Sequence, residues 1–440
     1  MSKFKNRHLQ MIAIGGAIGT GLFFGLAKSI PQTGQSIILS YLLGGALIYI
    51  IMRALGEMVV YEPNSGAFSF YANKYVNNYL GFISGWYAWF EYTIVCMLEI
   101  SAVTVFSDLW YPNIPHWILV AIILAIFFII NMVNINLFGE FEFWLSSIKV
   151  ITIVLMLLFS AYLIITNKVT NNYSNINNMF HSQHFFANGL RGFLYSFVLV
   201  VFSFGGTQFI GIAAADTEHP QQNVPKAING VITRIALFYI GTIIAILSLY
   251  PWQQLSNNIS PFVEVFNKIG IPSAAYCMNI VAIIAALSAF NSCLFASSRV
   301  LHSLAKQKNA PQIFAKKNNK QIPHNALIFT SIIIALTVLI NYLYQKQALF
   351  YLIAIATTSI IVTWSTILIC HLYFRMKIRP HGYKLFFSPW TNYIALALLL
   401  TVIITMTQMS DMKNAVLIMP IWLGFLTLCF IIKKYRSNKQ

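Results

Sequence analysis

No charged side chain occurs between Leu9 and Ala27, and charge-free or nearly charge-free apolar runs recur along the whole chain. Their limits are approximately 9–28, 37–59, 79–107, 117–136, 144–166, 190–214, 230–250, 273–303, 325–344, 348–373, 390–409 and 414–433. A bilayer core is crossed by about 20 apolar helical residues, so each run is long enough to span one. Only 9% of the 440 residues are charged, against about 25% in soluble proteins. The predicted fold class is an all-α polytopic membrane protein with twelve transmembrane helices. The segment 167–188 is also poor in charge, but its Asn171-Asn172-Tyr173-Ser174-Asn175 stretch is too polar to cross and is expected to form an outer loop.

A net charge of +17 invites a nucleic-acid reading, which the placement of the charges answers. With twelve crossings and a cytoplasmic N-terminus, the large majority of the 28 Lys and Arg residues fall on the inner side. That is the positive-inside bias of membrane proteins; it predicts both termini in the cytoplasm and no nucleic-acid partner. The basic connection 304–324, with Lys306, Lys308, Lys316 and Lys317, is then a topology-setting inner loop in contact with membrane lipid. The five cysteines lie in apolar segments without CxxC spacing, so neither a disulfide framework nor a zinc site is expected. His181 and His184 lack a third ligand and predict no metal site. The basic N-terminus and first apolar run resemble a signal peptide, but the run has no clear small-residue cleavage site and is taken as retained. HExxH, GxSxG, P-loop and dinucleotide-binding patterns are absent. Neither an enzyme nor a cofactor is implied.

Two of the apolar runs are interrupted. The first contains Ile14-Gly15-Gly16-Ala17-Ile18-Gly19-Thr20-Gly21, and the sixth Phe202-Ser203-Phe204-Gly205-Gly206-Thr207-Gln208. Each glycine inside a helix costs roughly 1 kcal/mol relative to alanine. Taken alone, the first stretch is equally readable as a glycine-rich face for close helix packing. Non-helical backbone at membrane depth is tolerated where it is buried in protein or lines a cavity. Helices five spans apart run in opposite directions, so two broken ones point to an inverted repeat with a site at mid-membrane. The free N–H groups where a broken helix resumes form an anion site.

Ionisable residues inside spans are candidates for function. Lys149 in the fifth run either snorkels to the nearby interface or is a buried ammonium that replaces a coupling cation or exchanges a proton. Glu91 and Glu99, eight residues apart in the third run, are offset by about 80° on a helix and need not share a partner. Glu99 is expected to pair with a neighbouring helix; Glu91 either lines a cavity or faces protein near the inner half. Arg53 and Glu57 are spaced i,i+4 and predict a local ion pair.

Several of these stretches resemble the amino acid–polyamine–organocation superfamily, in particular its bacterial amino acid transporter branch of amino acid permeases. The resemblance spans essentially the whole length. It rests on Arg7-His8-Leu9-Gln10-Met11 through Leu22-Phe23, Met52-Arg53-Ala54-Leu55-Gly56-Glu57-Met58, Phe138-Gly139-Glu140-Phe141-Glu142-Phe143-Trp144, Ile148-Lys149-Val150, the sixth-run break and Pro225-Lys226-Ala227. It implies a single permease domain over 1–440. The first repeat would occupy 1–166, the second inverted repeat 190–373, and two additional helices 390–433. In such permeases the substrate carboxylate meets backbone N–H groups of the first break, here Gly19, Thr20 and Gly21. The ammonium meets carbonyls that map onto Ala17, Phe202 and Gly205, with Thr207 beside them, and Phe202 or Phe204 caps the substrate. Lys149 matches a lysine that takes the place of a sodium ion, so coupling to protons is implied.

One departure stands out. The family commonly has Gly-Thr-Glu where this chain has Gly206-Thr207-Gln208, and glutamine carries neither proton nor charge. That weighs against a lysine or arginine substrate. Asp216 also stands where glutamate is usual, a milder change. Trp89-Phe90-Glu91 and Trp110-Tyr111-Pro112-Asn113-Ile114-Pro115-His116-Trp117 are most similar to proline-type permeases. The expected function is import of a neutral α-amino acid, with proline as the first to test, by proton-coupled alternating access across a bacterial inner membrane. An amino acid exchanger without net proton movement and a non-transporting amino acid sensor are the alternatives, and no obligatory protein partner is expected.

Overall fold

The structure is a computed structural model of the chain. It describes all residues except 1–9, 12–13, 15, 17, 65, 134, 167–184, 215–216, 256–259, 345–347, 380–381 and 438–440. The regular elements of the described residues are all helices, with no strand among them. After a π-helical turn at Gly21–Gly25 come α1 (Leu26–Thr33), α2 (Ile37–Tyr61), the short α3 (Ala67–Tyr71), α4 (Asn78–Ser107), α5 (His116–Val133) and α6 (Ile135–Thr166). The chain continues through α7 (Gly189–Ser203), the short α8 (Phe209–Ala213), α9 (Pro220–Leu249), α10 (Pro261–Lys268), α11 (Pro272–Lys306), α12 (His324–Leu343), α13 (Ala348–Lys377), α14 (Trp390–Gln408) and α15 (Lys413–Ser437). Nine helical stretches among the described residues are long and apolar enough to cross a membrane. Gly189–Ser203 and Leu237–Leu249 are shorter apolar helices.

The helix limits have local causes. Proline opens α9, α10 and α11, where its missing N–H would be unpaired in any case. Asn77 caps α4 by accepting from the Leu80 amide at 2.8 Å. Basic residues close α11, α13 and α15, the helix end that favours cations.

The helices divide into an inner and an outer set. In α4, α11 and α13, 78% of the most apolar window is buried within the protein, whereas in α15 only 11% is. The outer helices present isoleucine, leucine and phenylalanine outward, as lipid-facing surfaces require. Among the described helices, α4 and α11 share the most extensive contact.

Arg53 and Glu57 do not form the local ion pair expected from their spacing. Arg53 donates through Nε and Nη2 to the Lys384 carbonyl at 3.0 and 2.9 Å, and its guanidinium stacks 4.0 Å from the Tyr383 ring. Glu57 instead accepts from the Leu385 amide at 2.7 Å, from Arg375 at 3.0 Å and from His371 at 3.1 Å. The segment after α13 folds back beneath α2 and supplies each side chain with partners distant in sequence. Buried, these long-range contacts prevail over an i,i+4 pair worth only about 0.5 kcal/mol.

Candidate functional site

Both predicted breaks are present, and they touch. In the first, the Ile18 amide still bonds to Ile14 O at 2.9 Å. The chain then bends at Ile18 and Gly19 before resuming in the π turn. In the second, α7 ends at Ser203 and α8 begins at Phe209, with Gly205 N bonded to Phe202 O at 2.9 Å between them. Gly206 has φ +87° there, and a Cβ on it would lie 2.2 Å from Gly16 O. A side chain is excluded on both counts. A Cβ on Gly21 would lie 2.6 Å from Ser203 Cα, and Ser203 Oγ donates to Gly21 O at 2.9 Å. The glycines thus let two irregular backbone segments approach to contact.

A narrow cavity lies against this contact. Its walls include Gly16, Gly19, Gly21, Gly205 and Gly206 from the breaks, Phe202, Phe209 and Ile360 as apolar surfaces, and Glu91, Tyr92 and Glu99 from α4. At one side Glu99 accepts from the Thr20 amide at 3.2 Å and from Thr20 Oγ1 at 3.0 Å. Lys149, fully buried, donates to Ile18 O at 3.0 Å and to Ser288 Oγ at 2.9 Å. Glu142, one of whose oxygens accepts from Asn291 at 3.0 Å, completes this charged group. Lys149 therefore does not snorkel. Its ammonium is tied to the carbonyl at which the first helix opens, as a bound cation would be.

At the other side, Gln208 Nε2 donates to Glu91 Oε1 at 2.6 Å, and Thr363 donates to the other oxygen. Trp364 Nε1 donates to Gln208 Oε1 at 3.2 Å, which fixes the amide so that its nitrogen faces Glu91. The departure at 208 thereby acquires a physical reason. A glutamate there could accept from Trp364 but would oppose the Glu91 carboxylate, whereas an amide satisfies both neighbours.

The structure brings Gly19, Gly21, Phe202, Gly205, Glu91 and Glu99 to the cavity wall, and Lys149 and Gln208 immediately behind it. It leaves others out. Phe204 packs against Tyr41 and Tyr239, with centroids 5.8 and 5.3 Å away, because the turn after α7 points it toward α2 and α9. Thr207 bonds back to Phe204 O at 3.2 Å and does not reach the cavity. The Thr20 amide, expected free for a ligand, is held by Glu99. Ala17, His181, His184 and Asp216 lie outside the described residues. Sequence reasoning missed Glu142, Ser288, Tyr92, Thr363 and Trp364 as parts of the site. Glu142 had a signal, since it lies seven residues before Lys149 and hence on the same helical face; the others come from distant helices and had none.

Comparison with known proteins identifies the family. The family model for amino acid permeases matches residues 8–439. The aromatic amino acid transport protein AroP of Escherichia coli K12 is 39% identical over 98% of this chain and 95% of that protein. AroP of Salmonella typhimurium LT2 is equally similar, and the uncharacterized transporter YdgF of Bacillus subtilis is 38% identical over 99% of this chain and 96% of its own length. Matched by that model over residues 8–439 and by these transporters over nearly its whole length, the chain belongs to the amino acid permease family.

Proposed function

We propose that the protein imports a neutral α-amino acid by alternating access, driven by protons, across the inner membrane of a bacterium with both termini in the cytoplasm. Twelve crossings arranged as two inverted five-helix repeats plus two further helices account for the order of elements, with α7 and α8 as the two halves of the sixth crossing. The observation that carries the reading is the contact of the two breaks over a cavity that glycines of both breaks help to line. A zwitterion needs N–H donors for its carboxylate and carbonyl acceptors for its ammonium, and irregular backbone supplies both. Gly19 and Gly21 are the carboxylate side of the site, and Phe202 and Gly205 the ammonium side.

Lys149 supplies the coupling. Its ammonium holds the Ile18 carbonyl, so loss of its proton would release the first break and link protonation to gating. For the substrate, Phe202, Phe209 and Tyr92 give the cavity flat walls, which suits a ring. Together with the name carried by the AroP relatives, this sets aromatic amino acids beside proline at the head of the panel.

The test is uptake of labelled amino acids by purified protein in proteoliposomes under an imposed pH gradient, interior alkaline. Concentrative uptake that collapses with a protonophore is expected. Uptake that ignores the gradient and requires internal amino acid would replace symport by exchange, and saturable binding without any uptake would make the protein a sensor.

A further inference from the structure

We infer that the cavity selects an amino acid whose ring carries its own hydrogen-bond donor, a phenol, indole or imidazole, with Glu91 as the residue that reads it. This deepens the proposed function and rests on it. The two sides of the cavity differ in what they leave unused. The backbone of the breaks, with Lys149 and Glu99, forms one side and suits the charged ends of an amino acid. Across from it, beyond Phe202, Phe209, Val95 and Ile360, lie Glu91 and Tyr92.

Glu91 is 1% exposed, and Gln208 and Thr363 each donate to one of its carboxylate oxygens. A carboxylate accepts about four hydrogen bonds, so further acceptor capacity remains. A second observation points the same way. Tyr92, also fully buried and lining the cavity, has a hydroxyl that lies beside the Gln208 side chain but makes no well-formed hydrogen bond among the described residues. Buried polar groups are seldom left unpaired. A spare acceptor and an unpaired hydroxyl on consecutive residues, both in the wall of one cavity, fit a ligand that brings a polar tip between them. A plain hydrocarbon ring would cover the carboxylate without offering it a donor, and sites built this way discriminate strongly against analogues lacking the donor. Gln208 and Trp364 hold Glu91 in place without filling that capacity.

The experiment is a competition series on the full-length protein in proteoliposomes, comparing L-tyrosine with L-phenylalanine, with L-histidine and L-tryptophan as further donors. The expected result is at least about tenfold tighter binding of tyrosine than phenylalanine. In Glu91→Leu the preference falls to within about twofold or reverses. Should that variant fail to fold, Glu91→Gln, of the same size but with one acceptor oxygen fewer, lowers the ratio several-fold. Equal affinities for tyrosine and phenylalanine in the unmodified protein overturn the inference and assign the polar end to water, while leaving amino acid transport standing. A tyrosine preference unchanged in either folded variant overturns the role of Glu91. If no amino acid binds at all, the proposed function fails together with the inference.

Discussion

Glu91 and Glu99 sit on the same helix, about two turns apart, equally buried, and look into the same cavity. Their surroundings make them different groups. Glu99 spends its oxygens on the backbone and hydroxyl of Thr20 and lies in the field of Lys149. It braces the first break from the protein side, where a ligand carboxylate was expected. Glu91 instead accepts from the neutral side chains of Gln208 and Thr363. Offset by about 80° around the helix, one carboxylate fell beside the buried lysine and the other beside an amide. The lesson is that a buried carboxylate takes its role from which neighbouring helix it meets.

The largest effect should come from crowding the Glu99 side. Gly19→Val would put a Cβ 2.5 Å from Glu99 Oε1 and 3.0 Å from Ala289 Cβ. Substrate binding should fall by more than about a hundredfold, two decades or roughly 2.7 kcal/mol, while the protein still elutes as a folded species. Wild-type affinity in this variant would remove Gly19 from the site.

Next is Lys149→Ala. It leaves Glu99 and Glu142 without their cation, and breaking a buried pair costs about 3–5 kcal/mol. Thermal unfolding in detergent should drop accordingly, and pH-driven uptake should fall at least about tenfold, in line with the contribution of a positioned proton carrier. A variant that keeps its full response to an imposed pH gradient would make this lysine a packing residue.

Gln208→Glu attacks the other side. Two carboxylates within hydrogen-bond distance cannot both be charged and come to share a proton, so uptake should become several-fold dependent on external pH. A pH profile identical to that of the unmodified protein would show that positions 91 and 208 are not in contact during transport.

The smallest effect is expected at Arg53, remote from the cavity. Arg53→Met removes the stacking on Tyr383 and the bonds to Lys384 O, at a cost of about 1–2 kcal/mol of stability. Substrate preference measured by competition should not change. A shift in preference would tie the folded-back segment after α13 to the cavity.

The membrane class, the approximate spans and the two breaks were legible in the sequence because they are local. A charge-free run of sufficient length and glycines clustered within it act through the nearest few residues and the surrounding solvent. Gly19, Gly21, Phe202 and Gly205 lie within those breaks, and the family resemblance singled them out together with Lys149. Phe204 could not be told from Phe202, since the choice depends on how α7 turns at its end, and that is set by the fit of Phe204 between Tyr41 and Tyr239. Arg53 and Glu57 were misjudged for the same kind of reason: the partners that outcompete their local pair lie more than 300 residues away.

By itself the sequence determined that this chain lies in a bilayer and that its first and sixth runs cannot be plain helices, because hydrocarbon leaves a backbone few options. Only the tertiary structure decided that Lys149 closes on Ile18, that Glu99 occupies the Thr20 amide, and that Glu91 meets Gln208 rather than a cation. Those pairings depend on the rotation and depth of separate helices against one another. No local pattern encodes either quantity; they emerge only when all the helices pack at once.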